Sequence, residues 1–443
     1  MNIVSNEILS ATIEQLNTES SNTNSVIQSV WSSASNSPAV LDSYVYQDGL
    51  NLVYSESENI SYSSIIKCRQ ALDRYFAFYF RQLATIPDVT LGINYVINLS
   101  KVINYYVQSS NLIIELSNEI LSIACLNSTH ATNHLNYLDF AVKNNNFEIA
   151  SAGKTILYVD DDNYSTLTSA LAVATAGNMI VVDKMLSERV LLKDGVDVWF
   201  NSGAGCSYDL EQTTARSLFY TNGVGITCNI YGYGIFSDTN LTNTGVAIFH
   251  VDDDSIVNIG YQEMTISDTN PCIYCYGLDG GTILRCKGHT MTGRPLDTDG
   301  ETYLLDADAV NLIASGNDTV LYPDNTFNTY FYIRNAFMTN DSDVYGTLFL
   351  QSNSASIYDV SLINTRAENY GSSYSIQSPG DEAHTIRLFN SYLKADTQPI
   401  YAQYETTNVI SYGDTNIINI ENYADVNLTG TIIIDSNLTL SEV

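Results

Sequence analysis

The 443-residue chain is poor in basic residues and in charged residues of either sign. Only 18 residues are Lys or Arg against 49 Asp or Glu, which gives a formal net charge of -31. So acidic a surface repels phosphate backbones and anionic lipids, and we therefore expect neither a nucleic-acid partner nor membrane insertion. Asn, Ser, Thr and Tyr take the place of charges, and the 32 Tyr outnumber the 14 Phe. These residue types favour exposed β-structure and adaptable contact surfaces.

Several targeting and catalytic signals are also missing. The N-terminal segment has neither the basic stretch nor the apolar stretch of a secretory signal, and no run of about 18 apolar residues predicts a membrane span. We therefore expect a soluble product made in a cytoplasm. No G-x-S-x-G, H-E-x-x-H or Walker loop occurs. The seven cysteines are odd in number and scattered, which argues against a disulfide framework.

The first 150 residues favour helices by the spacing of their apolar residues. Apolar residues three and four apart predict helices over 3–16 and roughly 63–83. A heptad pattern then covers about four heptads, with Val96, Ile103, Ser110, Ser117 and Ala124 at one position and Leu99, Tyr106, Ile113 and Ile120 at the other. This pattern predicts either a self-associating coiled coil or a helix packed in a local bundle. We place a helical region at 1–92 and a helical neck at 93–150.

After about residue 150 the pattern changes to short strands. A short helix over about 167–176 ends at Gly177, and the strand Met179–Val182 follows. Next come Glu188 with a short strand, the turn Asp194–Gly195 and a further strand. This order resembles the first coils of the right-handed parallel β-helix of the pectin-lyase-like superfamily, over about 40 residues. The resemblance implies a right-handed parallel β-helix over 151–443 and says nothing of activity.

A β-helix requires a repeat of about 20–30 residues, because stacked coils share one continuous core. Aligning residues 255–264 with residues 282–291 at an offset of 27 matches apolar residues in both segments. Extending this alignment predicts one stack of core residues: Ile230, Ile259, Cys286, Ile313, Ile333, Val360, Leu388 and Ile420.

A candidate zinc site lies within this repeat. Cys272, Cys275, Cys286 and His289 are spaced C-x2-C and C-x2-H, close to the spacing of a structural zinc site. Cys286, however, occupies a predicted core position, where a free cysteine behaves as a small apolar residue. We therefore favour core and turn cysteines over zinc. His130 and His134, four residues apart, could bind a metal on one helix face, but such a pair is more often polar helix surface.

Candidate catalytic carboxylates follow from the same offset. Asp252 aligns with Asp279 and then with Asp306. Carboxylates in register on coils stacked about 4.8 Å apart would approach the roughly 5 Å separation of retaining glycosidases. Asp is also an ordinary turn residue, and a calcium site could use the same carboxylates.

The predicted order of a helical N-terminal part, a helical neck and a β-helix resembles bacteriophage tail spikes and fibres. The resemblance implies a virion structural protein of the fibre, spike or appendage type, a homotrimer without a cofactor. Residues 1–92 would attach to other virion proteins, and the β-helix would contact a host surface glycan or a protein partner. A glycan depolymerase, either glycosidase or lyase, on the same β-helix is the alternative. We favour the structural role over the enzyme.

Overall fold

The C-terminal part of the chain is a parallel β-solenoid with a small domain packed against its side. The computed structural model describes residues 45–48, 51–54 and 81–433, without residues 211–216, 223–224, 253, 315, 317, 326–327, 352–356, 380–383, 396–398, 403–406, 413–415, 419–425 and 430–431. The described strands from Thr155 onward form one 26-stranded sheet in which successive coils pair in parallel. The predicted parallel β-solenoid is therefore confirmed.

The small domain precedes the solenoid and consists of antiparallel strands and one long helix. We call residues 81–146 the lateral domain. Its strands are Leu83–Asp88, Ile93–Asn98, Val102–Gln108, Asn111–Leu116 and Ile120–Ala124, with a 3-10 turn at Leu99–Lys101. Helix α1 spans Ser128–Asn145, and the short helix α2 spans Phe147–Ser151. A separate antiparallel hairpin pairs Val45–Asp48 with Asn51–Tyr54.

Both helical interpretations of the heptad pattern, the coiled coil and the helix packed in a bundle, are wrong. The residues of this pattern form antiparallel strands, because β-branched and aromatic residues dominate them and Ser109 turns the chain with a left-handed φ of 59°. Ile103 is 69 % exposed, so the heptad positions do not form one buried stripe. The predicted helix over 3–16 and nearly all of that over 63–83 lie outside the described residues.

The solenoid has three faces, and several long strands pass from one face to the next. The long strands are Thr227–Asp238, Ile256–Thr265, Pro271–Thr292 and Arg294–Ile313. Face 1 otherwise contains Thr155–Val159, Asn178–Val182, Asp197–Phe200, Thr329–Arg334, Tyr358–Ile363, Thr385–Phe389, Thr407–Tyr412 and Val426–Thr429. Face 2 contains Met185–Leu186, Gly205–Tyr208, Phe337–Asn340, Arg366–Asn369, Tyr392–Lys394, Asn416–Ile418 and Ile432–Ile433. Face 3 contains Val190–Leu191, Ser217–Tyr220, Ala247–Asp252, Leu321–Asn325, Leu348–Phe349, Ile376–Ser378 and Ile400–Ala402.

Helix α3, Leu167–Val173, covers the open end of the first coils as the sequence predicts. Leu167 and Leu171 belong to the same apolar core as the solenoid strands. The carboxylate of Glu188 accepts hydrogen bonds from the backbone N–H groups of Leu167 (2.6 Å) and Thr168 (3.1 Å). These are N–H groups of the first helical turn, which have no partner within the helix. Glu188 therefore fixes the helix to the following coil.

The predicted core stack on face 1 is confirmed over its first three positions. Ile230 pairs with Ile259, and Ile259 pairs with Cys286, all fully buried or nearly so. The next position is Ala307, not the predicted Ile313, which lies on face 2. The offset of 27 fails there because this coil is only 21 residues long from Cys286 to Ala307.

The rest of the stack follows the prediction with one shift of two residues. Ile333 pairs with Leu362, whereas the predicted Val360 lies two residues earlier on the same strand and also points into the core. Leu388 continues the stack from Leu362. Ile420 lies outside the described residues. A shift of two preserves the inward direction because side chains alternate along a strand.

Asparagines hold the corner between faces 1 and 2. Asn335, Asn364 and Asn390 occupy equivalent positions and have left-handed φ values of 51°, 55° and 51°. Asn364 donates from Nδ2 to Oδ1 of Asn335 at 3.0 Å, so the amides form a ladder between coils. Asn tolerates this backbone conformation better than most residues, which explains its use at a sharp corner.

Candidate functional site

The predicted carboxylate ladder does not form. Asp252 lies on face 3 and pairs with Tyr276, not with Asp279. Asp279 falls within the irregular part of a long strand between Gly277 and Thr282. Asp306 lies on face 1, on the opposite side of a corner from Asp252. The prediction was wrong because the corners contain different numbers of residues, so a constant offset cannot describe all coils.

Asp306 instead belongs to a buried ion pair between the solenoid and the lateral domain. Its carboxylate accepts two hydrogen bonds from Arg334, at 2.7 and 2.9 Å, and both side chains are fully buried. Arg334 also donates to the backbone oxygen of Thr85 at 3.1 Å and stacks on Tyr137 of α1 at 4.0 Å. Asp308, two residues further, accepts from Tyr137 and Lys287. These groups hold the lateral domain against the solenoid, and because they are buried there, none of them is accessible to a substrate.

His130 and His134 also belong to this interface. Nδ1 of His134 lies 2.9 Å from a guanidinium nitrogen of Arg334, and Nδ1 of His130 lies 2.7 Å from the hydroxyl of Tyr332. Burial lowers the pKa of His130 to about 4 and that of His134 well below its usual value, and nearby arginines act in the same direction. Because Arg334 can only donate, Nδ1 of His134 is the acceptor and the imidazole is neutral. The pair therefore stabilises the interface between the two parts.

The cysteines of the candidate zinc site lie in the core of the solenoid. Cys272 and Cys275 point inward from face 3 and Cys286 from face 1, and all three are fully buried in the main apolar cluster. The sulfur of Cys272 lies 3.1 Å from the backbone oxygen of Thr292. His289 is also buried, three residues beyond Cys286 along the same strand. Within the described part of the chain, no three His, Cys, Asp or Glu side chains come together as a metal site. The predicted core position of Cys286 is confirmed.

The outer surface of face 3 carries two rows of aromatic and acidic side chains, which we call the aromatic row and the acidic row. The aromatic row is Tyr220, His250, Tyr274, Asp297 and Tyr322, in register on successive coils. The acidic row, two residues further along each strand, is Asp252, Tyr276, Asp299 and Asp324. The residues between the rows, such as Cys275 and Thr298, are fully buried. Alternation along the strands therefore directs every member of both rows outward.

A cavity of about 520 Å³ opens over the aromatic row. Tyr220, His250 and Tyr274 form one wall, and the rings of His250 and Tyr274 lie 5.1 Å apart. Thr269, Asn270 and Pro271 also line the cavity. A volume of this size is within the range of about 300–1,000 Å³ that small-molecule sites occupy. We call this cavity the face 3 groove.

Charged groups at the end of the face 3 groove are mostly paired with each other. Arg294 donates to Asp297 at 2.9 Å and to Asp318 at 2.7 Å. Burial raises the pKa of Asp297 to about 7, although Arg294 acts in the opposite direction. Asp252 is bonded to Thr221. The groove therefore presents aromatic surface beside hydrogen-bonding groups that already have fixed positions.

The acidic row contains one pair of carboxylates on adjacent coils. Asp299 and Asp324 are in register, so their backbones are about 4.8 Å apart. The hydroxyl of Tyr274 donates to Asp299 at 3.1 Å. Partial burial raises the pKa of Asp324, and the charge of Asp299 raises it further. The pair has the register that the sequence incorrectly assigned to Asp252, Asp279 and Asp306.

Sequence reasoning missed this surface although a signal was present. The segments "YCY" at 274–276, "DTD" at 297–299 and "YPD" at 322–324 each place two aromatic or acidic residues around one buried residue. These segments are 23 and 25 residues apart, whereas an offset of 27 aligns other residues.

Comparison of the chain with protein-family models, with curated proteins and with solved structures returned no match. In the described part of the chain, every helix is too short or too polar to cross a membrane.

Proposed function

We propose that the protein is a glycan-binding appendage of the fibre or spike type on a bacteriophage virion. In this proposal the solenoid holds a host surface glycan along face 3, and the N-terminal part attaches to other virion proteins. The observation that carries the binding function is the face 3 groove, where aromatic rings on successive coils stand beside fixed carboxylates. Sugar rings have an apolar face that packs on aromatic rings, and hydroxyl edges that donate to carboxylates.

The charge of the protein restricts the glycan. A formal net charge of -31 repels polyuronates and other polyanions at long range. Within the groove, Arg294 is already paired with Asp297 and Asp318. We therefore propose a neutral glycan as the ligand of this face. The virion location and a homotrimeric state follow from the architectural resemblance to tail spikes and fibres, and a native mass of one chain over a wide concentration range would contradict the trimer.

The experiment measures retention of the protein in gels that contain host envelope or capsule polysaccharide. Tyr274→Ala is expected to weaken binding about tenfold, or about 1.4 kcal/mol, because it removes one ring from the groove. Tyr158→Ala is the matched control, since Tyr158 is 45 % exposed on face 1, away from the groove. Equal retention of both variants and the unchanged protein would contradict binding at face 3.

Glycosidase activity on the same face is the second candidate, favoured by the register of Asp299 and Asp324. Carboxylates about 5 Å apart are typical of retaining glycosidases, and the raised pKa of Asp324 suits a proton donor. Incubation with the polysaccharide should then release reducing ends with retained anomeric configuration, and Asp324→Asn should abolish the release. Binding without any release of reducing ends would leave an adhesive function alone.

A further inference from the structure

A second cavity, of about 250 Å³, lies between α1 and face 1, on a different side of the solenoid from the face 3 groove. Phe140 of α1 and Tyr231 of face 1 form an aromatic wall, with their ring centroids 6.1 Å apart. The side-chain amides of Asn229 and Asn258 form part of the floor. The volume is below the range of about 300–1,000 Å³ for drug-sized ligands, so only a small molecule fits. We call it the α1 cavity.

The α1 cavity contains a buried cation that lacks a hydrogen-bonded carboxylate among the described residues. Arg285 lines the cavity and is only 4 % exposed. Its Nε has no hydrogen-bond partner in the described structure, and its Nη1 donates to Asn258 over a long distance of 3.5 Å. The carboxylate in register on the next coil, Asp306, accepts both of its close bonds from Arg334.

The burial of Arg285 without a hydrogen-bonded counter-ion is energetically unfavourable. Burial lowers the pKa of Arg285, as expected for a cation removed from water. A buried charge without a bonded counter-ion costs several kcal/mol, and arginine does not avoid this cost by releasing its proton. An anion in the cavity would remove the cost.

The other charges of the α1 cavity compensate each other. Lys143 and Asp139 form an ion pair at 2.7 Å along one side of α1. Asp139 also accepts a hydrogen bond from Tyr105 at 2.8 Å. Arg285 is therefore the lining charge that lacks a hydrogen-bonded counter-ion, with Asp306 and Asp139 acting on it only through space, and the lining residues Asp139, Lys143 and Arg285 together carry one net positive charge.

A chain of hydrogen bonds orients Arg285 across four coils. Asp197 accepts from the amide of Asn229 at 2.8 Å, whose oxygen accepts from the amide of Asn258 at 2.6 Å. The oxygen of Asn258 faces Arg285. Since each amide has a fixed donor and acceptor direction, the oxygen of Asn258 is directed at the guanidinium before any ligand arrives.

We propose that the α1 cavity binds a small organic carboxylate, such as an acidic monosaccharide. Its carboxylate would bond to the guanidinium of Arg285, and its body would pack on Phe140 and Tyr231. A planar guanidinium fits a carboxylate with two parallel hydrogen bonds. One net positive charge balances a monoanion, whereas a phosphate dianion would leave excess negative charge beside Asp139. The free sugar acid and the acidic end of a glycan share this chemistry.

The test is isothermal titration calorimetry of the full chain with D-glucuronate, D-glucose and inorganic phosphate. Glucuronate is expected to bind at least tenfold more tightly than either of the others. Arg285→Met should weaken glucuronate binding at least tenfold, and Arg285→Lys at least threefold, because lysine keeps the charge without the planar fork. Lys101→Met, at an exposed lysine of the lateral domain outside the cavity, should leave binding unchanged.

Two further measurements test whether the variant is folded and which form of the ligand enters the cavity. Arg285→Met should melt at the same or a higher temperature, since it removes a buried charge, so loss of binding would not reflect unfolding. Glucuronate linked through its anomeric carbon to an oligosaccharide tests whether a glycan end also enters.

No binding of glucuronate at about 10 mM, or equal binding by Arg285→Met, overturns the proposal. Equal affinity for phosphate overturns the choice of a carboxylate. The site does not depend on the face 3 groove, and Tyr274→Ala should not affect it.

Discussion

At the scale of single residues, a fully buried ion pair lies where the lateral domain meets the solenoid. Arg334 and Asp306 are both fully buried and joined by two hydrogen bonds. Such a pair contributes little net stability compared with apolar residues, but loss of one member leaves the other charge buried and unpaired. The pair therefore fixes where the lateral domain docks more than it strengthens the docking.

Replacement of these two residues should accordingly be non-additive. Arg334→Met alone is expected to lower the free energy of unfolding by about 3–5 kcal/mol, because the buried carboxylate of Asp306 then loses both of its hydrogen bonds from a cation. The double variant Arg334→Met with Asp306→Leu should lose less than Arg334→Met alone. Urea unfolding of the single and double variants measures both values. A double variant whose loss equals the sum of the two single losses would contradict the coupling.

At the scale of elements, the strands of the solenoid depend on one another through stacked core residues. Ile333 is fully buried and pairs with Ala307 before it and Leu362 after it. The same alternation that directs Ile333 inward directs Tyr332 and Arg334 outward against α1. One strand therefore supports both the core and the interface.

Ile333→Asp tests this dependence. A carboxylate at this position would be buried without a partner, and we expect a loss of at least about 4 kcal/mol in the free energy of unfolding. Ile103→Asp is the matched control, because Ile103 is 69 % exposed, and its effect should stay within about 0.5 kcal/mol. Thermal melting of the two variants compares the effect of the same substitution at a buried core position and at an exposed position. An unchanged melting curve for Ile333→Asp would exclude the core stack.

At the scale of the whole molecule, α1 joins the lateral domain to the solenoid along the solenoid axis. From His130, which contacts Tyr330 and Tyr332, to Asn144, which bonds to Gly232, the helix rises about 21 Å. The same contacts span four coil steps, or about 19 Å. The helix therefore matches the stack of coils that it covers, and the histidines near its N-terminus anchor one end.

His134 should make a contribution to the stability of this assembly that is lost in acid. The pKa of His134 is lowered in the folded state, so below the unfolded value of about 6.5 the unfolded chain binds more protons. The free energy of unfolding therefore falls as the pH falls, by about 2 kcal/mol for His134 between pH 7 and pH 5. His130 acts in the same direction, whereas burial raises the pKa of Asp297, Asp306 and Asp359, which act in the opposite direction.

His134→Gln isolates this contribution. Gln keeps an acceptor for Arg334 but does not titrate, and the other ionisable groups are common to both proteins. Urea unfolding at pH 7 and pH 5 should show that the unchanged protein loses about 2 kcal/mol more than the variant. Equal losses would show that His134 is protonated in the folded state or does not face Arg334.

The solenoid could be predicted from the sequence alone, because core residues must recur once per coil and alternate along each strand. That rule identified the core positions Ile230, Ile259 and Cys286, the last of which is a cysteine that resembled a zinc ligand. The heptad spacing over 93–124 led to a wrong prediction. Residues seven apart form one buried stripe only if the segment is a helix, and the spacing alone does not show that it is. Outward positions obey no such constraint. The tertiary structure was needed to show that Asp306 is buried under α1 and that Asp299 and Asp324 share a register. The reason is that corner loops of unequal length determine which outward-facing residues become neighbours.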